Sequence, residues 1–231
     1  APFHIFAKNK ERYFSINYKA VYILKKLGYD ICYDSTGELY SGALLYELGF
    51  WKDLNKYAAG VAESIRKTEA KTIICISPHS AEMFKIIYPK IVDFPQVKIK
   101  TFIEMVWEKR DLLPPVKCDS PVVIHDSCRL ARELGVSQEL RDILDTIGVK
   151  YVEPFRNKEW TTCCGGPSKM LFPKISKIVA ERRVTELVET GAGKALVSCP
   201  YCLSSLHSGM ARNSVTDLED IVEFLFRGFE G

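Results

Sequence analysis

Two apolar patterns alternate along the chain: short continuous apolar runs, and longer segments in which apolar residues recur every three or four positions. The first pattern is typical of buried strands and the second of amphipathic helices. Residues 34–45 follow neither pattern and are predicted to form a loop. In the N-terminal half the predicted strands are residues 3–7, 29–33 and 72–76, and the predicted helices are 18–27, 51–68, 81–88 and one that opens at a Thr101-Phe-Ile-Glu104 capping box.

A boundary is predicted in the segment 111–120, because its two adjacent prolines are unsuited to the interior of a helix or a central strand. Beyond it a second Thr-x-x-Glu capping box, at residues 216–219, opens the last predicted helix. The other predicted elements are strands at 121–125, 151–154 and 195–198 and helices at 138–147 and 173–190. The residues expected on the buried side of the helix 173–190 are Ile175, Ile178, Val179, Val184, Leu187 and Val188.

The second half of the chain repeats the first at a shift of about 120 residues. Leu27-Gly28-Tyr29 corresponds to Ile147-Gly148-Val149, and residues 76–80 correspond to residues 198–202. Strands that alternate with helices indicate parallel sheets. The predicted fold is therefore α/β, with two pseudo-repeated Rossmann-like lobes at residues 1–113 and 121–231, each built on a small parallel sheet.

Composition and charge exclude several classes of function. The chain has 231 residues, 47% of them hydrophobic, and a net charge of +3 that is too small and too evenly spread to indicate nucleic-acid binding. No run of about 18 apolar residues is present, and the first residues are not expected to act as a signal peptide. We therefore expect a cytoplasmic protein that reaches a membrane only through a partner.

The candidate chemistry lies in the cysteines of the second half. Disulfides are not expected for the eight cysteines, because a reducing compartment opposes them and a chain of this size needs none. Thiolates that come from separate places in a sequence are typical of a soft-metal or iron–sulfur site. The candidate ligands are Cys128, Cys163, Cys164, Cys199 and Cys202. Cys32, Cys75 and Cys118 have no partner spacing, and Cys75 is expected in the core.

The local sequence favours convergence of these five thiols. Cys128 and Cys199 each follow a predicted strand, at the sheet edge where ligands gather in parallel α/β folds. Gly165 and Gly166 allow a close approach of the backbone, and Pro200 restricts the turn between Cys199 and Cys202. A closed zinc site takes four ligands, so the five thiolates favour an iron–sulfur cluster, with zinc or a metal-free dithiol as alternatives.

The first half carries no soft ligands at the corresponding positions. There the sequence has Lys8, the segment Tyr40-Ser41-Gly42-Ala43, Ser77 and Ser80. The metal site is therefore predicted in the second half, and the first half is expected to form a pocket wall or a partner surface. His79 is expected on the surface.

Three polar residues near the cysteines are given provisional roles. His125 is a candidate proton donor to a nascent thiolate, since the charge of histidine changes near neutral pH. A purely structural histidine is the alternative. Arg129 and Arg132 are candidates for offsetting the negative charge of the thiolates, with a solvated helix surface as the alternative.

His125-Asp126-Ser127-Cys128, the doublet Cys163-Cys164-Gly165-Gly166 and Cys199-Pro200-Tyr201-Cys202 resemble the cysteine-rich CCG domain family. That family includes the B and D polypeptides of heterodisulfide reductase, a related component of the electron-transfer complex that serves sulfite reductase, and iron–sulfur components of glycolate-, lactate- and glycerol-3-phosphate-oxidising enzymes. The resemblance, which is greatest to the B polypeptide of heterodisulfide reductase, implies a noncubane [4Fe-4S] cluster bound by all five cysteines.

The resemblance also implies redox chemistry on a small thiol or disulfide, with electrons exchanged through a ferredoxin-like or flavoprotein subunit. The chain departs from the B polypeptides in one respect, because they carry two intact cysteine motifs and this chain keeps one. An electron-relay component of a lactate-, glycolate- or glycerol-3-phosphate-oxidising complex is therefore an alternative. A zinc-stabilised interaction module is a further alternative.

Overall fold

Helices surround two small parallel sheets in the computed structural model, which describes residues 10–34, 37–210 and 217–230. One sheet pairs β1 (Thr72–Cys75) with β2 (Lys98–Thr101). The other has the strand order β4-β3-β5-β6, with all neighbours parallel. Its strands are β3 (Val122–His125), β4 (Tyr151–Val152), β5 (Lys194–Val197) and β6 (Asp217–Asp220). The predicted α/β class, with a small parallel sheet in each half, is confirmed.

The helices lie between and beside these strands. In chain order they are α1 (Lys10–Lys26), α2 (Ala43–Glu47), α3 (Trp51–Lys67), α4 (Pro78–Glu82), α5 (Tyr88–Ile91), α6 (Phe102–Glu108), α7 (Gln138–Thr146), α8 (Pro173–Val188), α9 (Pro200–Gly209) and α10 (Ile221–Phe226). A π-helical turn, Met83–Ile87, joins α4 to α5, and a second one, Arg129–Glu133, follows Cys128.

The repeat in the sequence has a structural counterpart. The parallel pair β1–β2 in the first half corresponds to the parallel pair β5–β6 in the second. Both β2 and β6 end at the N-cap of a helix: Thr101 caps α6 and Asp220 caps α10, each in a capping box with a glutamate three residues later. The same strand–cap–helix unit therefore closes both halves.

Several predicted elements differ from the observed ones. The segment 29–33 forms no strand, and Tyr29 instead donates its hydroxyl to the carbonyl of Met105 at 2.8 Å. The short strand β2 was not predicted, because Lys98-Ile99-Lys100 has the pattern of an exposed polar stretch. The predicted strand 3–7 lies outside the described residues.

The capping box predicted at residues 216–219 is wrong. Residues 217–220 form β6, whose pairing with β5 takes up their backbone groups. The observed N-cap is Asp220, four residues after the predicted one, and its Oδ1 accepts a hydrogen bond from the amide of Val222 at 2.9 Å. The apolar residues of the following helix, α10, are buried as expected.

The buried face of α8 matches the prediction at Val184 and Leu187 and differs from it in the first half of the helix. Ile175 and Ile178 are 57% and 56% exposed. The residues that α8 buries are Ser176, Ala180, Arg183, Val184 and Leu187. The helix lies so close to the cysteine doublet loop that small or hydrogen-bonding residues are needed at the contact, and this shifts its buried face away from the two isoleucines.

The larger hydrophobic core draws residues from both halves. Helix α1 packs against α10, where the rings of Tyr22 and Phe226 are 5.3 Å apart and Arg12 is paired with Glu223 at 2.7 Å. A second cluster lies among α3, α4, β1 and β2. The division of the chain into lobes at residues 113 and 121 stays a prediction. Among the helices of the described ranges, none combines the length and the apolar content needed to cross a bilayer.

Candidate functional site

The site lies where the strand order of the four-stranded sheet reverses. The chain runs from β3 to β4 on one side and from β5 to β6 on the other, so the loops after β3 and β5 separate and leave a crevice between them. Ligands gather at this point in open parallel sheets. Cys128 follows the end of β3 and Cys199 follows the end of β5. Both cysteines therefore enter the crevice.

The five predicted cysteines form one connected set of neighbouring thiols. Cys163 contacts Cys128 and Cys164. Cys202 contacts Cys164 and Cys199. All five thiols are free, as are the other three in the chain. Cys164, Cys199 and Cys202 are buried, whereas Cys128 and Cys163 are half-buried, which gives the set an inner and an outer side.

Contact between the sulfurs separates their pKa values. Hydrogen bonds from Cys128 and Cys164 lower the pKa of Cys163. The same contact, followed by burial, raises the pKa of Cys128. Burial opposes ionisation of Cys199, but the hydrogen bond from Cys202 and the charge of His79 outweigh it, so the pKa of Cys199 lies well below its usual range. Two of the sulfurs are thus favoured as thiolates by their surroundings, which suits metal ligation.

The doublet loop is tightly packed against two helices. Gly165 has φ +75°, and a Cβ there would lie 2.9 Å from the carbonyl oxygen of Ser176 in α8. The side chain of the same serine donates from Oγ to the carbonyl of Gly165 at 2.7 Å. Ser205 Oγ in α9 donates to the carbonyl of Cys164 at 2.6 Å. The backbone next to both thiols is therefore held from two sides.

A buried ion pair fixes the loop that carries Cys128. Both oxygens of Asp126 accept from Arg141, at 2.6 and 2.8 Å, and both residues are almost fully buried. Asp126 also accepts from the amide of Lys158 at 2.6 Å, and its carbonyl accepts from Thr161 Oγ1 at 3.0 Å. These contacts connect the end of β3 to the segment that leads into the cysteine doublet.

His125 lies beside the inner thiols. A ligand nitrogen of its ring and the sulfurs of Cys164 and Cys202 all lie within 4.8 Å of one another. Nδ1 accepts from Arg183 Nε at 3.0 Å, so the single proton of the neutral ring is on Nε2, which has no hydrogen-bond partner among the described residues. Burial, followed by the charge of Arg183, holds the pKa of His125 well below its usual value. Its predicted role as a proton donor stays a prediction.

The two candidate arginines both make contacts within the chain. Arg129 is half-buried and pairs with Glu82 at 2.8 Å and with Glu47 at 3.4 Å. Arg132 is exposed, and it donates to the carbonyls of Glu159 and Thr161, at 3.0 and 2.7 Å, in the segment before the doublet. Their role in offsetting the charge of the thiolates stays a prediction.

The expectation that His79 lies on the surface is wrong. The residue is 3% exposed, and Nδ1 lies 2.5 Å from Oε1 of Glu47. The ring is also hydrogen-bonded to Cys199. Burial lowers the pKa of His79, but the charge of Cys199 and the hydrogen bonds to Cys199 and Glu47 outweigh it and raise the pKa to about 10. The cause of the error is the packing of the first half onto the cysteine site.

The donor set fits an iron–sulfur group better than a simple structural ion. Five soft donors in one connected group of pairwise contacts exceed the four ligands of a closed zinc site. The buried Nε2–H of His125, without a partner in the described structure, is suited to donate to a sulfur of a bound group. Of the remaining cysteines, Cys75 is buried, as expected for a core residue, and Cys32 is exposed.

Comparison with known proteins identifies the class of this site. Residues 122–207 match the family of cysteine-rich domains known as CCG. This matched segment contains Cys128, Cys163, Cys164, Cys199 and Cys202 together with His125. Residues 122–207 therefore belong to the CCG cysteine-rich domain family, and the predicted resemblance is confirmed.

Several curated relatives of the chain are named as reductases or oxidoreductases. The chain is 30% identical to the D polypeptide of the dihydromethanophenazine:CoB–CoM heterodisulfide reductase of Methanosarcina acetivorans, over 87% of this chain and 52% of that protein. It is 26% identical to the EtfAB:quinone oxidoreductase of Syntrophomonas wolfei, over 95% of this chain and 33% of that one. It is 25% identical to lactate utilization protein A of Halalkalibacterium halodurans, over 74% and 73%. The chain spans about half the length of the heterodisulfide reductase polypeptides it matches.

The structure adds residues that the sequence did not identify. Glu47 and His79 come from the first half, and Asp126, Arg141 and Arg183 support the ligand loops from within the second half. His79 had a signal in the sequence: in the repeat it occupies the position of Tyr201, between the two cysteines of the second half. Arg183 had none, because an arginine in an amphipathic helix is ordinarily exposed.

Proposed function

We propose that the chain is an iron–sulfur oxidoreductase subunit of the heterodisulfide reductase type. In this proposal Cys128, Cys163, Cys164, Cys199 and Cys202 hold a noncubane [4Fe-4S] cluster that serves thiol and disulfide redox chemistry. The observation that carries the proposal is the connected set of five free thiols at the point where the sheet order reverses.

The chain's own residues have distinct tasks in this proposal. The bound cluster would supply electron storage and iron that a sulfur substrate can approach. Cys164, Cys199 and Cys202 hold it from the buried side, which excludes water. Cys128 and Cys163 are half-buried, so a small thiol or disulfide, or an electron-transfer partner, would approach from their side. His125 Nε2–H would donate a hydrogen bond to a sulfur at the inner side.

The names of the relatives support this chemistry and a partner protein. The heterodisulfide reductase polypeptides and the EtfAB:quinone oxidoreductase are both named for electron-transfer reactions. We propose that the chain exchanges electrons with a ferredoxin-like or flavoprotein subunit, acts in the cytoplasm and contacts membranes only through a partner. The proposal excludes nucleic acid as a partner.

The experiment that tests the proposal is anaerobic purification followed by iron, acid-labile sulfide and zinc analysis. We expect about four iron atoms and four sulfides per chain, as the proposed cluster requires. Stoichiometric zinc without sulfide would support the zinc-stabilised interaction module instead. The EPR spectrum of the oxidised protein would then be recorded with and without a small disulfide or thiol. A substrate-dependent spectrum is expected, and the substrate chemistry is wrong if no thiol or disulfide changes it.

A second candidate function is an electron relay in a complex that oxidises lactate, glycolate or glycerol 3-phosphate. The similarity to lactate utilization protein A favours it, because that match covers 73% of the relative. A relay protein would contain the cluster and accept electrons from a flavoprotein, yet its spectrum would not respond to disulfides. The same EPR series therefore separates the two functions.

A further inference from the structure

The half of the chain without metal ligands contacts the site at corresponding positions of the repeat. His79 in Ser77-Pro78-His79-Ser80 corresponds to Tyr201 in Cys199-Pro200-Tyr201-Cys202. Their rings lie against each other, with centroids 4.4 Å apart and planes inclined by 40°. The two turns therefore face each other, and the first one places an imidazole where it can reach the second.

The orientation of this imidazole is determined by its contacts. Nδ1 lies 2.5 Å from Oε1 of Glu47, which leaves Nε2 as the ring nitrogen available to the neighbouring sulfur of Cys199. Tyr201 covers one face of the ring. His79, Glu47 and Cys199 are all buried, so water does not compete for these bonds.

Glu47 in turn connects His79 to the other ligand loop. Its Oε1 lies 3.4 Å from Arg129, the residue that follows Cys128, and Arg129 also pairs with Glu82 of α4 at 2.8 Å. Glu47 of α2 thus contacts both Arg129 and His79, and Glu82 of α4 contacts Arg129. This network spans the two halves and reaches the residues beside Cys128 and Cys199.

We propose that His79 is a positioning residue that donates an N–H hydrogen bond to the sulfur of Cys199, and that the ligand-free half of the chain serves as a polar cap on the metal centre. This inference rests on the proposed function. Hydrogen bonds to ligand sulfurs stabilise the more negative, reduced state of an iron–sulfur centre. The first half therefore contributes to the reduction potential without supplying a ligand.

The test compares His79→Phe with His79→Gln in the anaerobically purified protein. Phenylalanine keeps a ring against Tyr201 but has no N–H, whereas the glutamine amide can restore a donor near Nε2. The matched control is His207→Phe, since His207 is exposed near the end of α9. The measurements are iron and sulfide content, the EPR spectrum and the midpoint potential.

We expect His79→Phe to bind the cluster with a more negative midpoint potential and altered EPR g-values. His79→Gln should recover part of the shift, and His207→Phe should show none. A wild-type potential and spectrum in His79→Phe with full cluster content would overturn this inference and leave the proposed function standing. A wild-type protein without iron would overturn both.

If His79→Phe does not fold, His79→Leu provides the second test, because it removes the N–H without introducing the larger phenylalanine ring. The potential should again move in the negative direction. An unchanged potential in His79→Leu with full cluster content would overturn the inference.

Discussion

The two Pro-containing turns of the repeat share a backbone and differ in chemistry. Ser77 and Cys199 are both extended residues that precede a proline at the start of a helix. Behind them, the hydrogen bond from Ser80 Oγ to Ser41 Oγ, at 3.0 Å, occupies the place of the contact between Cys202 and Cys164. The turn therefore forms without a metal ligand, and its cysteines are a matter of function rather than of folding.

The glycines of the two loops lead to the same conclusion. Gly42 in the first half has φ +72° and Gly165 in the second has φ +75°. Both conformations favour glycine over residues with a side chain. The loop geometry is thus common to both halves, and the second half adds thiols together with a buried set of charges. The following substitutions test whether the thiols and the buried charges, rather than the loop geometry, distinguish the second half from the first.

The largest effect is expected from Cys199→Ser. A serine hydroxyl is a poor ligand for soft metals, and Cys199 lies at the buried end of the set, so most of the bound iron and sulfide should be lost. The control is Cys75→Ser, a buried cysteine of the first half outside the set. It should retain full iron content even where it lowers stability. Iron analysis of both proteins checks this, and full iron in Cys199→Ser would contradict the five-ligand proposal.

The next effect concerns the buried charges of the second half. Arg141→Leu leaves the carboxylate of Asp126 without its bidentate partner in a buried position, so the free energy of unfolding should fall by about 3–5 kcal/mol. The control is Arg66→Leu in the first half, where the pair with Glu63 is exposed and the expected loss is below about 1 kcal/mol. Urea denaturation at pH 7 measures both. Equal losses would mean that the Asp126 pair does not support the site.

The smallest effect on the free energy of unfolding is expected at the two corresponding helix caps, Thr101 and Asp220. Burial raises the pKa of Asp220 to about 7, above the value near 3.9 expected in the unfolded chain. A carboxyl whose pKa is higher in the folded chain than in the unfolded chain stabilises the folded state fully below pH 4. This stabilisation is lost as the pH rises through 7. Between pH 5 and 8 the wild type should therefore lose roughly 2.5 kcal/mol relative to Asp220→Asn, which keeps the cap but does not titrate.

Urea denaturation at pH 5, 6, 7 and 8 measures this difference. Thr101→Ala provides the control, since the loss of an uncharged cap should cost about 1 kcal/mol at every pH. A wild type and an Asp220→Asn variant with parallel pH profiles would show that the carboxyl does not titrate in this range.

Local patterns were sufficient for much of the molecule. Apolar periodicity placed α3, α7, β1 and β5 to within a few residues, and the capping box at Thr101 was found where the structure has it. The five cysteines could be proposed as ligands from among eight because their spacing and glycine neighbours are local properties. The strand predicted at 29–33 was wrong because a run of apolar residues forms a strand only where another strand is available to pair with it. Ile175 and Ile178 were wrongly predicted to be buried because the surface that packs against α8 cannot be read from the periodicity of the helix itself.

The sequence by itself determined the class of fold, the repeat and the set of thiols, since each depends on residues near one another in the chain or on chemistry that a residue type carries anywhere. Tertiary structure alone decided which thiols are buried, that His125 is neutral with its free N–H beside two of them, and that His79 is enclosed between Glu47, Tyr201 and Cys199. Burial and hydrogen bonding depend on what packs against a side chain from distant segments. Those contacts arise only when the two halves come together.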